Sequence, residues 1–207
     1  MKFVFVADFF ADQVLGGGEI NNEELINILK KEGHEVDAVN SPLVTLKFLD
    51  EYRDYNFIIA NFIRLSEDAK ENLLDKKYVI YEHDHKYLTT RNPADFENYL
   101  APKEAIINYE FYKAAKAVFC QTSFHKNIVE KNLNLENITS LGGNLWPTEH
   151  LDLLEEMSRV EKTDKCAVMN SHIPHKNTSE AVLYCKTLGI DYVLIDFSKP
   201  SNFLREL

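Results

Sequence analysis

Cysteine is scarce: the 207 residues contain three, Cys120, Cys166 and Cys185. An odd number without close spacing argues against a disulfide framework and against a zinc site. All three are expected to be buried thiols in a reducing compartment, Cys120 and Cys166 inside apolar runs and Cys185 on a helix. Long apolar runs are also missing. None approaches the ~18 residues of a membrane span. The start, MKFVFVADFFADQ, meets Asp8 and Asp12 too early for a signal peptide, so a cytoplasmic protein is expected. Positive charge is in deficit, with 23 basic against 33 acidic residues and a net charge of -10. Such a surface repels phosphate backbones and anionic lipid on average, so nucleic acid is not the default partner. No internal repeat or low-complexity segment is present.

What remains is an ordinary globular composition, 45% hydrophobic and 27% charged, enough for a packed core. Short apolar runs dense in Val, Ile, Phe and Tyr recur at 2–7, 34–39, 56–60, 78–82, 117–121 and 138–141. Runs of this kind suit strands buried on both faces of a parallel sheet. Amphipathic helices are predicted between them: 19–31 with Gly33 as its stop, a helix opened by Ser41 and Pro42, a third capped by Ser66, then 103–115 and 123–132. The segment Tyr109 to Tyr112 is expected to pack on the sheet. This alternation predicts an α/β, Rossmann-like, doubly wound parallel sheet over residues 1–143.

Residues 142–147, GGNLWP, break the rhythm. A linker with a polar helix at 148–159 follows, so 144–160 forms the junction. The alternation then restarts over 161–207: a strand at 165–170, a helix at 177–188 with Asn177 and Glu180 as a capping box, a strand at 191–196 and a helix start at 201–207. Two strands and two helices bury too little to stand alone. Either the second unit docks on the first domain or the protein continues past Leu207; continuation is expected, so the unit reads as the opening β-α-β-α of another Rossmann-like domain, completed by that continuation or by a complementary chain.

Three loops could carry chemistry. Gly16-Gly17-Gly18-Glu19 opens the first helix, where bare backbone and the helix start favour a phosphate; a flexible turn is the alternative. It is not the dinucleotide fingerprint, because eight residues separate it from the first strand. Glu82-His83-Asp84-His85-Lys86 lies beyond the fourth strand, where ligands bind in open α/β sheets. His83 or His85 could contact a hydroxylated ligand there; otherwise the stretch is an exposed polar loop. Metal is disfavoured, since successive residues point opposite ways and no distal ligand is evident. In 170–177, NSHIPHKN, Lys176 precedes a helix N-terminus and could meet a phosphate; a solvated loop is the alternative.

These loops, in this order, resemble retaining glycosyltransferases of the GT-B fold, family 4, in which two Rossmann-like domains bind acceptor and nucleotide-sugar donor. Gly16 to Glu19 is similar to the family's glycine-rich loop and His83-Asp84 to its strand-four histidine. Residues 117–125 resemble a strand-helix element late in the first domain, and 137–146 resemble the interdomain hinge. The family's donor signature, Gly-Arg-x-x-x-x-Lys-Gly, aligns with 170–177. Lys176 matches its lysine, while Ser171 replaces the arginine and Asn170 and Asn177 replace the glycines. The paired-glutamate motif would fall beyond Leu207. The chain also resembles glycosyltransferase-like proteins of phages.

The resemblance implies sugar transfer from a nucleotide-diphosphate sugar to an acceptor hydroxyl, with retention, no metal and no cofactor. It implies catalytic roles for His83 and Asp84, donor-phosphate contacts from Gly16, Gly17, Gly18 and Lys176, and acceptor contacts from Glu19 and His85. Two other readings stay open: a non-catalytic acceptor- or partner-binding fragment of a split protein, and a phage sugar transferase acting on DNA.

Overall fold

The computed structural model describes residues 1–14, 16–173 and 176–196. The helix expected at 201–207 lies outside them, as do Pro174 and His175 of the third loop. The chain divides into two compact units, Met1–Leu145 and Trp146–Leu207.

The first unit is a six-stranded parallel sheet of order β2-β1-β3-β4-β5-β6. Its strands are β1 (Lys2–Ala7), β2 (Glu35–Asn40), β3 (Asn56–Ile59), β4 (Tyr78–Glu82), β5 (Val118–Cys120) and β6 (Ile138–Ser140). Period-two alternation divides their side chains between two faces. Val4, Val6, Phe57, Ile59 and Ile80 join one cluster with Leu49, Leu73, Phe111, Tyr112 and Val129. Those partners belong to α2 (Leu46–Glu51), α3 (Glu67–Leu73), α4 (Tyr109–Ala114) and α5 (Ser123–Leu133). Phe5, Ala7, Ile58 and Tyr81 face the other way, against Ile26 of α1 (Gly17–Lys31). Helices on both faces of a parallel sheet make the unit a doubly wound, Rossmann-like α/β fold. The strand order reverses between β1 and β3, so the ligand crevice of such a sheet opens beyond their carboxyl ends.

Two helices differ from expectation. Ser41 and Pro42 open only a single 3-10 turn, Ser41–Leu43. The Ser41 hydroxyl donates to the Asn61 carbonyl at 2.9 Å, so it ties the ends of β2 and β3 instead of capping. The helix proper, α2, starts after Thr45, whose Oγ1 accepts from the Phe48 amide at 3.2 Å. The segment 103–115 is likewise not one helix. It holds a short turn, Lys103–Ala105, and then α4, with Asn108 left-handed at φ 56° between them. Asn108 is drawn out of helical geometry by its partners: its Nδ2 donates to the Lys86 carbonyl at 2.8 Å and its Oδ1 accepts from Lys70 Nζ at 3.0 Å.

The second unit holds α6 (Thr148–Ser158), β7 (Cys166–Asn170), α7 (Thr178–Leu188) and β8 (Tyr192–Asp196), with β7 and β8 parallel. Asn177 is left-handed at φ 57° and caps no backbone amide. Its Nδ2 donates to Glu180 Oε2 at 2.7 Å, a side-chain pair in place of the expected capping box. Cys120 and Cys185 are buried, but Cys166, the first residue of β7, is exposed. The expectation of three buried thiols thus fails at the strand's open end. Among the described residues no helix is long and apolar enough to cross a membrane.

Candidate functional site

The glycine cluster is not a turn before the helix but the helix start itself. Gly16 is the N-cap and Gly17 and Gly18 form the first turn, with no side chain capping their amides. Those N–H groups have no intrahelical partner and lie at the positive end of the dipole. None of the three glycines has positive φ. A Cβ on Gly17 would meet nothing within 4 Å, and one on Gly18 would touch only His83 and Asn61, at 3.8 and 4.0 Å. Neither glycine is required by the folded chain, although glycine is a poor helix residue. Gly16 differs, because a Cβ there would lie 2.3 Å from Glu19 Oε2. Glu19 folds back over the helix start, and its Oε1 accepts from Asn61 Nδ2 at 3.3 Å. This brings α1 to the end of β3.

His83 lies under that helix start, at the end of β4. Its Nδ1 receives a hydrogen bond from Gln121 Nε2 at 2.6 Å, and its Nε2 donates to Asn22 Oδ1 at 2.8 Å. This fixes the neutral Nε2–H tautomer. Burial, followed by the nearby Lys86 charge, pushes its pKa down to about 4. Asn21, beside Asn22 on α1, accepts from the Tyr81 hydroxyl and donates to the Leu145 carbonyl. The buried polar face of α1 is thus pinned to β4, to the residue after β5 and to the chain after β6.

The rest of the β4 loop is a charge cluster. Glu82 is 0% and Lys86 2% exposed. Lys86 Nζ reaches Glu82 Oε1 at 3.3 Å and also pairs with Asp84, while the Tyr112 hydroxyl donates to Glu82 Oε2. Burial raises the Glu82 pKa, but Lys86 and Tyr112 outweigh it and hold the carboxyl down to about 2. For Lys86, burial is outweighed in turn by Glu82 and Asp84, and its pKa rises. Asp84 also pairs with Arg91, at 3.1 Å. His85 is left-handed at φ 56°. Its Nδ1 lies 3.1 Å from the Tyr87 hydroxyl, and its ring packs 4.3 Å from that of His125. Burial and then the His125 charge take its pKa down to about 4. The loop read as a short polar stretch is therefore largely internal, with both His83 nitrogens and both Asp84 oxygens engaged.

The sign of the pH dependence follows from these shifts. His83 and His85 bind a proton near 6.5 when unfolded but only near 4 when folded. Stability is full above pH 6.5 and falls as pH drops through the window 6.5 to 4, by up to about 1.4 kcal/mol per pH unit for each histidine. Urea midpoints measured from pH 8 to 4 should show this plateau and decline, with His85→Gln removing part of the slope. An unchanged slope in that variant would refute the assignment.

In the second unit, Thr178 Oγ1 donates to the Met169 carbonyl at 2.7 Å and accepts from the Ser171 amide at 3.1 Å. It thereby ties the start of α7 to the end of β7. Lys176 is exposed at the start of α7, and no side chain caps that helix. Gly18 lies beside His83, and Glu19 reaches Asn61 after β3; Asp84 and His85 follow His83 in the β4 loop but turn to Lys86, Arg91, Tyr87 and His125, whereas Lys176 belongs to the second unit. Among the described residues no group of three His, Cys, Asp or Glu could hold a metal.

No family model matches the sequence, and no curated protein matches it. Solved structures do. An α-glucosyltransferase in complex with UDP and a 13-mer DNA containing a HMU base, at 1.9 Å resolution, matches with TM-score 0.53 and 15% identity, over 90% of this chain and 53% of that one. An α-glucosyltransferase in complex with UDP matches with TM-score 0.54 and 15% identity, over 97% and 59%. A second DNA complex, at 2.8 Å resolution, gives 0.54 and 16%, over 97% and 58%. At this identity the likeness shows the fold alone, the α/β architecture shared with those structures. The chain spans 53 to 59% of the length of those structures.

Proposed function

We propose that this chain forms part of a GT-B glycosyltransferase that moves a sugar from a nucleoside-diphosphate sugar to an acceptor hydroxyl, with retention, and with neither metal nor cofactor. The observation that carries the reading is the helix start at Gly17 and Gly18, whose amides no side chain caps, beside the reversal point of the sheet. The UDP carried by structures of similar fold supports the donor class.

In this reaction negative charge develops on the departing diphosphate. Preorganised amides and a helix dipole stabilise such charge where it forms. Gly17 and Gly18 supply them in the first unit; for Lys176, at the start of α7 in the second, the donor-phosphate role rests on the match to the family's sequence signature. His83 and Asp84 act by holding shape and field rather than as an open proton acceptor, since their polar atoms are already engaged. Glu19 and His85 are assigned to the acceptor side. Positioning of this kind can account for a large part of a transfer rate.

Titration of UDP and UDP-glucose into the full chain tests the reading. Lys176→Ala should weaken UDP binding by roughly 10- to 100-fold, the value of one charge-assisted contact. Equal affinity in parent and variant would remove Lys176 from the donor site, and absence of saturable binding to the parent would favour a non-catalytic acceptor- or partner-binding role.

The DNA in two structures of similar fold favours one particular acceptor, a hydroxymethylated base in DNA. Duplex carrying such a base should then bind with an affinity that falls steeply with salt, despite the net charge of -10. Salt-independent or absent binding would rule this acceptor out.

A further inference from the structure

Cys166 and Cys185 are 19 residues apart in sequence, but the fold brings them together. Cys166 opens β7, and its amide donates to the Asp191 carbonyl at 2.8 Å. Cys185 lies in the last turn of α7, and its carbonyl accepts from the Ile190 amide at 2.9 Å. The adjacent residues Ile190 and Asp191 therefore hold one cysteine each. Cys185 is 2% exposed, whereas Cys166 is open to solvent. Burial, and after it the contact with the Cys166 thiol, pushes the Cys185 thiol up. The backbone bonds through Ile190 and Asp191 thus make the two cysteines neighbours, one accessible and one shielded.

We propose that Cys166 and Cys185 form an oxidisable dithiol, a modification site in the second unit that closes to a disulfide under peroxide. The asymmetry in exposure sets the order of steps. The Cys166 thiolate attacks hydrogen peroxide: an S–O bond forms, the O–O bond breaks, and the released hydroxide takes the thiol's proton and leaves as water. The sulfenic acid is then attacked by the Cys185 sulfur. The S–S bond forms, the S–O bond breaks, and a second water carries off the Cys185 proton. Two thiols are oxidised and one peroxide is reduced to two waters. The bridge closes a ring containing the whole β7–α7 loop with Lys176. Cys120 takes no part, being buried in the first unit.

The test uses the full chain, reduced, desalted and treated with dilute hydrogen peroxide. The intact mass should fall by two hydrogen atoms and return with dithiothreitol. A non-reducing peptide map should join the peptides containing Cys166 and Cys185. Cys120→Ser should leave the link intact, and Cys185→Ser should turn the product into an oxygen adduct on Cys166. Oxygen added at Cys166 of the parent with Cys185 still open to alkylation after unfolding would overturn the proposal. So would a link through Cys120 or a disulfide between two chains. Because the readout is mass, it is independent of sugar transfer.

Discussion

Lys86→Met should destabilise the first unit by about 3–5 kcal/mol, the usual cost of breaking one side of a buried ion pair. Lys86 is 2% exposed and its partner Glu82 is fully buried. Methionine fills much of the volume but leaves the Glu82 carboxylate in a dry setting, with the Tyr112 hydroxyl and the Asp84 amide as its hydrogen-bond donors and no counter-charge from Lys86. The Glu82 pKa, now about 2, would then climb, because the Lys86 charge is what outweighs burial. The loss should therefore be greatest at neutral pH and shrink in acid, as protonation removes the unpaired charge. Glu82→Gln combined with Lys86→Met should recover a large part of it, since uncharged partners avoid the desolvation term. Urea unfolding of the parent, both single variants and the double variant measures the coupling. A loss below about 1 kcal/mol in Lys86→Met would mean that the pair does not form in the folded protein. With total stabilities typically about 5–15 kcal/mol, the predicted loss is large enough to affect expression.

The largest expected effect on binding lies at Gly17. The space above its α-carbon is open to at least 4 Å, so the fold itself tolerates a side chain there. Gly17→Ala should leave stability within about 1 kcal/mol of the parent, shifted toward stabilisation because alanine is the better helix residue. Gly17→Val should also fold. Its branched side chain would stand where a phosphate must approach the Gly17 and Gly18 amides, and UDP affinity should fall on the order of 100-fold, as for loss of one or two charge-assisted hydrogen bonds. Calorimetric titration with UDP, read beside a melting curve, separates the two effects. Undiminished UDP affinity in a folded Gly17→Val protein would show that the helix start is not the phosphate site. The Glu19 carboxylate, which folds over the same helix end, must move or be displaced when an anion arrives.

The central strands β1, β3 and β4 were readable from the sequence because they are largely buried on both faces and therefore spelled as apolar runs. Helix ends were readable where a cap acts locally, as at Ser66, whose Oγ accepts from the Ala69 amide at 3.2 Å. The errors arise where a polar side chain serves a distant partner. Ser41 resembles a cap but bonds to Asn61, and Asn108 resembles a helix interior but ties α4 to the β4 loop. The candidate site was legible only in part, for the same reason. Gly16, Gly17, Gly18 and the histidines stand out locally. Nothing local marks Gln121, 38 residues from His83, or Asn22, 61 residues away. The one available signal for the latter was a pair of asparagines in a helix whose neighbours are amphipathic. Glu82 and Lys86 were visible as charges in a loop that could be ligand-binding or exposed, but not as a buried pair, because that burial depends on Tyr112 arriving from another helix. The proximity of Cys166 and Cys185 left no spacing pattern, since it is produced by a helix folding back on its strand.

The hydrogen bonds around His83 bear on what position 83 requires of its occupant. The ring receives one hydrogen bond and donates another, and it stays uncharged across the neutral range. An asparagine or glutamine side chain offers the same pair of roles. Were the imidazole a proton carrier, no amide could replace it; as a neutral bracket between α1 and β5, it can be exchanged for one wherever the reach is right. Among related chains, substitution by an amide at this position would therefore signify retention of the architecture rather than loss of the chemistry.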